Sequence, residues 1–507
     1  MPPPAEPDPP ATTPASVSLE FALDPAAAQR LPRHAAIATA RAGRSRSLAE
    51  ELIWLDTAEG SLAAAGLALA APAKGERQLL RSMPAAGQAW RPGTPAEPVP
   101  PRDGLPPEDA ALVPIAAFSG RRSLMQLGEV EAELLAGKLR AVAAETPVAR
   151  LRLTGPAEAV LARAAALAAD LHLLPATASL AEEGRALARG EAPRPRRRGA
   201  PALADAGTVE AALQAALGHL LEAMLSHAPG CRPGAGMEGV HQTRVALRRL
   251  RSVLKSFRPA AGCPAVAGFD AGLAALAGAL GPARDWDVFL AGTAAAAAEA
   301  IGPDRRLAAL LKAAEARRAE SYDSLGRLLD GPAFPRLVLA GLSLMLLRPW
   351  REGAEADGRA ALLDQPLAEF GAGLLDKRWQ RLRKRGEAIE AHGAEALHEV
   401  RLDAKRLRYA AELFAPLWPG KAARRFLRRL AALQEELGVA NDTAVARALV
   451  ASLAPGAAAE GSRGRGGAVP GWAVGAMEGF AAGRSGRARR HALDAWDSLL
   501  QASPFWR

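Results

Sequence analysis

His241-Gln-Thr-Arg-Val-Ala-Leu-Arg-Arg-Leu-Arg251 returns in altered form as His398-Glu-Val-Arg-Leu-Asp-Ala-Lys-Arg-Leu-Arg408, an offset of 157 residues. A second pair, Leu280-Gly-Pro-Ala-Arg-Asp285 and Leu437-Gly-Val-Ala-Asn-Asp442, repeats at the same offset of 157. Two separate matches at one spacing mark a duplicated unit rather than a chance likeness. A third pair, Tyr322-Asp-Ser-Leu325 and Trp496-Asp-Ser-Leu499, lies 174 residues apart, wider by 17. The Gly-rich stretch from Pro455 to Gly471 supplies an insertion of about that length in the second copy alone. Each copy therefore spans several helices, about 208–330 and 365–500.

The duplicated segment carries a pattern of cations. On a helix, His241, Arg244, Arg248, Arg251 and Lys255 fall at i, i+3, i+7, i+10 and i+14, which is one face. His398, Arg401, Lys405 and Arg408 do the same in the second copy. Like charges at these spacings repel by a few tenths of a kcal/mol per pair, so the face costs stability unless an anion sits on it. A solvated basic face accounts for any single arginine. It does not account for the same cation positions appearing twice.

The rest of the composition agrees with an anionic partner. The 507 residues suffice for two or three domains with full cores, and the formal charge is +10 with a pI near 10.2. Nucleic acid, a lipid surface and a polyphosphorylated compound are the candidate classes. Aromatic residues are 4% of the chain and do not interleave with the stripes, so base stacking finds little support. The abundance of Ala, Arg, Gly and Pro suits a GC-rich coding sequence, which tempers arguments from arginine number alone. Cys231 and Cys263 are too few for a disulfide framework and lie in no metal spacing. The start, Met1-Pro-Pro-Pro-Ala-Glu-Pro, lacks the basic and apolar regions of a signal peptide. The longest apolar run, Leu337 to Leu347, is too short to span a bilayer. A cytoplasmic protein without a membrane partner is the expectation.

Residues 1–15 are a Pro-rich tail expected to be disordered. Val17-Ser-Leu-Glu-Phe-Ala-Leu23 alternates with the period of a half-buried strand, and Leu52–Thr57 and Ala149–Thr154 also predict strands. Arg150 and Arg152 share a face of the last. Pro156 opens an amphipathic helix to about Leu171. The Pro/Arg segment within 192–207 predicts a linker between a domain at 16–191 and one at 208–507. From Thr208 onward the pattern is helical. The economical architecture is a pair of pseudo-twofold-related four-helix bundles, and both stripes line one groove if the bundles face each other.

His-x-x-Arg-x-x-x-(Arg/Lys)-Arg-Leu-Arg, with Leu-Gly-x-x-(Arg/Asn)-Asp about forty residues later, resembles the CHAD family, the conserved-histidine α-helical domain. Both signatures occur in both halves, across about 208–500. The resemblance implies two four-helix bundles whose basic surface binds inorganic polyphosphate, often at polyphosphate granules. Carried over position by position, the polyphosphate-contacting set is His241, Arg244, Arg248, Arg251, Lys255, Arg284, His398, Arg401, Lys405 and Arg408. Asn441 stands where the first copy has Arg284, so the second half is expected to make one phosphate contact fewer.

The N-terminal region resembles a degenerate CYTH, or triphosphate-tunnel, domain, an antiparallel β-barrel. Ser18-Leu-Glu20-Phe-Ala22 stands at the family's Glu-x-Glu-x-Lys, so only Glu20 survives. Leu55-Asp-Thr57 and Gly66-Leu-Ala-Leu69 keep the family framework, but Ala70 and Pro72 replace the arginines expected after it. Ser179-Leu-Ala-Glu-Glu-Gly184 matches Ser-Lys-Ala-Glu-Arg-Gly with Leu180 for the lysine. Arg150 and Arg152 stand where the resemblance places metal-binding glutamates. A tunnel triphosphatase holds divalent metal on several carboxylates, and arginines there invert the field. Glu20, Glu131 and Glu133 are the acidic residues expected on barrel strands, the latter two on the solvent side. A non-catalytic domain that retains weak anion binding follows.

Gly234-Ala-Gly-Met-Glu-Gly239 fits GxGxxG but follows no strand, so it predicts a loop before the His241 helix. Neither His241 nor His398 has further ligands nearby, so each is expected to donate to phosphate or to pack, not to bind metal. The sequence thus predicts a polyphosphate-binding protein without cofactor or metal, contacting nucleic acid only non-specifically, and sets no oligomeric state. The competing readings are a metal-dependent triphosphate or polyphosphate hydrolase acting through the N-terminal domain and a non-specific nucleic-acid binder.

Overall fold

A computed structural model of the chain describes residues 16–82, 91–100, 111–197, 199–387, 389, 394–453 and 469–507, and within these all side chains except 394, 440, 441 and 484–489. The Pro-rich tail at 1–15, most of the Gly-rich insertion and the Asn441 side chain lie outside that description. Two compact units are distinguished. Of the described residues, one comprises those within 16–197, 217–226 and 328–349, and the other those within 199–216, 227–327 and 350–507.

The first unit is built on nine antiparallel strands: β1 Val17–Leu23, β2 Arg46–Thr57, β3 Leu67–Pro72, β4 Gln78–Arg81, β5 Glu97–Pro98, β6 Leu112–Leu127, β7 Val130–Arg140, β8 Glu145–Gly155 and β9 Leu174–Pro175. They form one curled half-barrel in the order β5-β4-β3-β2-β6-β7-β8-β1-β9. Alternation in β1 buries Val17, Leu19, Phe21 and Leu23 and leaves Ser18, Glu20 and Ala22 half-buried on the opposite face. Helix α1, Ala157–Leu167, packs across β1, β7 and β8 through a stripe that buries Val160, Leu161, Ala164 and Leu167.

Helix α2, Leu180–Ala188, packs on β6 and β7, opened by a capping box in which Ser179 and Glu182 satisfy each other's backbone N–H groups. Its Gly184 lies so close to β6 that a Cβ there would collide with the Ala116 side chain. Asp56, fully buried at the end of β2, accepts from the Leu62 and Ala63 amides at 2.9 and 3.1 Å. It also accepts from Arg185 of α2 at 2.8 Å. The Asp-Thr pair of the sequence is therefore structural, tying α2 to the sheet.

The longer helices that follow are α3 Val209–His227, α4 Glu238–Ala261, α5 Pro264–Val288, α6 Arg305–Asp330, α7 Ala333–Leu347, α8 Leu367–Arg385, α9 Ala394–Phe414, α10 Lys421–Ser452 and α11 Gly471–Leu500. Four long helices fall within each repeat, α3 to α6 and α8 to α11. Residues 217–226 of α3 and all of α7 cluster with the first unit, where α7 lies against α1. In the helical unit Phe257 of α4 stacks on Phe370 of α8 at 5.5 Å and meets Phe414 of α9 at 6.0 Å. Arg378 donates to Ser256 Oγ at 2.9 Å and to the Arg406 carbonyl at 2.7 Å, fastening α8 to α4 and α9.

The expectation of no membrane-length segment needs a correction. The helical run Pro264–Ile301 reaches a mean hydropathy of 1.4 over an 18-residue window, long and apolar enough to cross a membrane. Its apolarity is carried by Ala and Gly broken by a few charges, so it forms no continuous run of large residues. Leu273, Leu276, Leu280 and Trp286 of this run are buried in the helical unit, while 28% of its apolar window is buried.

Candidate functional site

Helix α4 buries Val240, Thr243, Leu247, Leu250, Leu254 and Phe257 on one side. The cations at 241, 244, 248, 251 and 255 each follow a buried position by one residue, so the stripe flanks the core-facing side. Helix α9 repeats the arrangement, with Val400, Ala404, Leu407 and Ala411 buried and Arg401, Lys405 and Arg408 each one position later or earlier. Helices α4 and α9 pack together, which brings the stripes to one place.

That place is a cavity of about 250 Å³ lined by His241, Arg244 and Arg248 of α4, Arg284 and Asp285 of α5, Arg401 and Lys405 of α9, and Asp442 of α10. Immediately after α5 the helix widens into a π-helical turn at Phe289–Ala294, whose Phe289 and Thr293 complete that side. Six of the ten expected cationic and histidine positions therefore converge, with both repeats contributing.

The other four stand apart from it. Arg251 is held by Asp270 at 2.7 Å. Arg408 is held by Glu412 at 2.7 Å and donates to Gln434 at 2.9 Å. His398 is exposed and absent from the described lining. Lys255 lines a separate cavity of about 810 Å³ with Arg258, Cys263 and Asp270. The helical period put these on one face, but Asp270 of α5 engages Arg251, and Glu412 of the same helix together with Gln434 of α10 engages Arg408.

Two residues that reasoning from cations passed over are Asp285 and Asp442. They occupy equivalent positions in the repeat and meet in the cavity. Burial first, and the Asp442 carboxylate beside it, raise the Asp285 carboxyl above its ordinary range against the pull of Arg244 and Arg284. The duplicated Asp closing each Leu-Gly-x-x-x-Asp motif was the available signal.

The cations are themselves under strain from one another. Burial, then Arg284, hold His241 below the usual imidazole range, so the ring is neutral near pH 7 and offers one N–H donor. Burial, then the charges of Arg248, Arg401, Arg244 and Lys255, pull Lys405 down to about 8. Arg248 lies over the Tyr409 ring, 5.0 Å from its centroid. A site whose members depress one another's protonation is electrostatically unfilled, and an anion relieves it.

A family model described as the CHAD domain matches residues 215–451, which hold both stripes and both Leu-Gly-x-x-x-Asp motifs. The crystal structure of the CHAD domain from the plant Ricinus communis is 31% identical, covering 61% of this chain and 98% of that one, with a TM-score of 0.49. The chain belongs to the CHAD family. PptA from Streptomyces chartreusis is also similar, 17% identical over 59% of this chain and 100% of that one, with a TM-score of 0.40. A search of the curated proteins returns no match. The CHAD domain is generally non-catalytic, and the family is linked to polyphosphate binding. The N-terminal half-barrel fits a CYTH-like domain.

On that half-barrel, Glu20 is directly opposite Arg152 in the β1–β8 register, and Arg152 opposite Glu133 in β7–β8. Arg152 donates to Glu20 at 2.9 Å. Arg150 lies 3.7 Å from Glu20 and 2.5 Å from Glu183 of α2. The expectation that Glu133 faces solvent is corrected: it lines the concave cavity, 3.9 Å from Arg122, while Glu131 is exposed nearer the strand end. Glu50 of β2, absent from the sequence reading, pairs with Arg122 at 2.9 Å. The carboxylates here are engaged by arginines.

Proposed function

We propose that the CHAD domain binds inorganic polyphosphate in the α4/α5/α9/α10 cavity, without catalysis, and that the protein acts at polyphosphate granules in the cytoplasm. The observation that carries this reading is the convergence of His241, Arg244, Arg248, Arg284, Arg401 and Lys405 from both repeats on one cavity. Among the described lining residues Phe289 is the one Phe, Tyr or Trp, and it is 2% exposed, so no base can stack on it. A featureless chain of phosphates asks for cations and little else. The deciding experiment is competition between long-chain polyphosphate and single-stranded DNA for the full-length protein. Polyphosphate is expected to displace the DNA at far lower phosphate concentration, and equal competition would sink the assignment. Five cations and a loss of roughly 0.7 counterion per neutralised charge on a flexible chain predict a log–log salt slope of about −3.5.

Binding should also take up protons. Lys405 titrates at about 8 in the free protein, below its ordinary 10.5, and a polyanion restores the higher value. Titration calorimetry in two buffers of different ionisation enthalpy should therefore register uptake of about half a proton at pH 8, approaching about one at pH 9. Affinity should fall as pH rises through this range. The sign for folding is opposite to that of a paired lysine: the unfolded chain binds more protons between about 8 and 10.5, so stability of the free protein rises with pH there. A Lys405→Arg protein should lose the uptake while keeping most of the affinity.

For the half-barrel we propose no turnover. Full-length protein with Mg²⁺ or Mn²⁺ is expected to release no phosphate from ATP or tripolyphosphate, since Glu20 and Glu133 lie against arginines. Metal-dependent release abolished by Glu20→Gln would overturn this.

A further inference from the structure

Helix α8 carries Lys377, Arg378, Arg381, Lys384 and Arg385 at i, i+1, i+4, i+7 and i+8, one face beside its buried positions. The helix dipole favours cations in the last turn, which accounts for Lys384 and Arg385 but not for the three placed one and two turns earlier. The equivalent helix of the first repeat, α3, has the same length of 19 residues and contains no lysine or arginine. These cations are therefore a feature of the second copy and not of the chain's general composition. Arg406 of α9 joins them. Asp403 is shared by Arg381, Arg385 and Arg406 at 3.2, 2.9 and 2.6 Å, and Glu399 is held by Arg385. Asp376, on another side of α8, is taken by Trp506 and Arg507. Lys377 and Lys384 are exposed and make no ion pair among the described residues.

Six cations thus meet two bonded carboxylates. Arg378 donates only to Ser256 Oγ and the Arg406 carbonyl, and burial, then the Arg406 charge, pulls it down to about 10. The side chains of Arg381 and Arg406 are 57% and 52% exposed, so a ligand reaches them from solvent. Leu375, Trp379 and Leu382 of α8 are buried, which leaves a lipid surface nothing apolar to receive and a base no ring to stack on. A phosphate chain needs only the cations. The α4/α5/α9/α10 cavity, at about 250 Å³, falls below the roughly 300–1,000 Å³ of drug-sized pockets, so it takes only a short piece of a long chain. Helix α9 serves both places, with Arg401 and Lys405 lining the cavity and Arg406 bonded to Asp403 in the α8 cluster.

We propose that the α8/α9 face is a second contact surface for polyphosphate, engaging the part of a long chain that the cavity does not hold and so making the protein selective for chain length. This rests on polyphosphate as the ligand proposed above. The salt slope of about −3.5 then belongs to the cavity, and a long chain lying also on Lys377, Arg381 and Lys384 should be steeper by roughly 2, from about 0.7 counterion for each of three cations. The test compares tripolyphosphate with long-chain polyphosphate on full-length protein carrying Lys377→Gln, Arg381→Gln and Lys384→Gln together. Asp403 keeps Arg385 and Arg406 in this variant, so its circular dichroism spectrum should match the parent. Long-chain affinity is expected to fall about tenfold or more with loss of the extra slope, and tripolyphosphate affinity to stay within about twofold. Unchanged long-chain affinity, or an equal loss for both ligands, would overturn the proposal. So would anionic vesicles captured through these three residues without a chain-length effect, which would assign the face to a lipid surface. Arg248→Glu with Lys405→Glu serves as the control for the cavity and should weaken both ligands. If that pair weakens neither while the α8 variant weakens the long chain, the cavity reading fails and the α8/α9 surface stands.

Discussion

Arg248→Glu combined with Lys405→Glu is expected to lower polyphosphate affinity by roughly 10²- to 10⁴-fold. Each charged hydrogen bond to phosphate contributes roughly 1.5–3 kcal/mol, and two reversals remove two such contacts while adding repulsion. The two residues come from different repeats yet line one cavity, and Lys405 is pulled down in part by Arg248. Their effects should therefore couple, with a double-mutant cycle showing an interaction energy above the roughly 0.5 kcal/mol scatter of independent sites. Strict additivity would mean two separate binding surfaces. Folding should be little affected. The reversals remove like-charge repulsion within α4 and α9, and the loss of the Arg248–Tyr409 contact roughly offsets that gain.

Asp403→Ala should cost about 2–4 kcal/mol of stability in the helical unit, the second large effect. Its carboxylate is 3% exposed and receives Arg406 at 2.6 Å, Arg385 at 2.9 Å and Arg381 at 3.2 Å. Removing one member of a buried ion cluster leaves the others without compensation, typically 3–5 kcal/mol, and the partial exposure of these arginines lowers that figure. Thermal unfolding should shift down by roughly 5–15 °C. A shift below about 2 °C would mean that water replaces the carboxylate. Polyphosphate at saturating concentration should recover part of the loss in this variant, because the polyanion binds the folded state.

Periodicity and repetition made much of this protein legible. Alternation at Val17–Leu23 gives β1 with the same bounds, and the Pro156 start and the helical pattern beyond Thr208 are reproduced in α1 and in α3 to α11. The offset of 157 identified α4 with α9 and α5 with α10, because a duplicated helix keeps its spacing in the chain whatever its surroundings become. Where the expectations fell short, the missing information was lateral. A helical wheel places Arg251 and Arg408 beside Arg248 and Lys405, but it contains neither Asp270 nor Gln434, which reach them from α5 and α10. Glu133 was expected in solvent because a strand's period names two faces without saying which is concave. Glu50 went unnoticed because its partner, Arg122, is 72 residues away.

The sequence by itself determined the duplicated helical architecture, the two stripes and their cationic character, since these depend on residue type and on spacing along one element. Only the tertiary structure decided that six of the ten positions share a cavity, that Asp285 and Asp442 meet within it, and that Arg150 and Arg152 face Glu20 and Glu183. The reason is physical. Periodicity orients a side chain about its own helix or strand, whereas burial, ion pairing and pKa depend on charges brought within a few ångströms by segments distant in the chain.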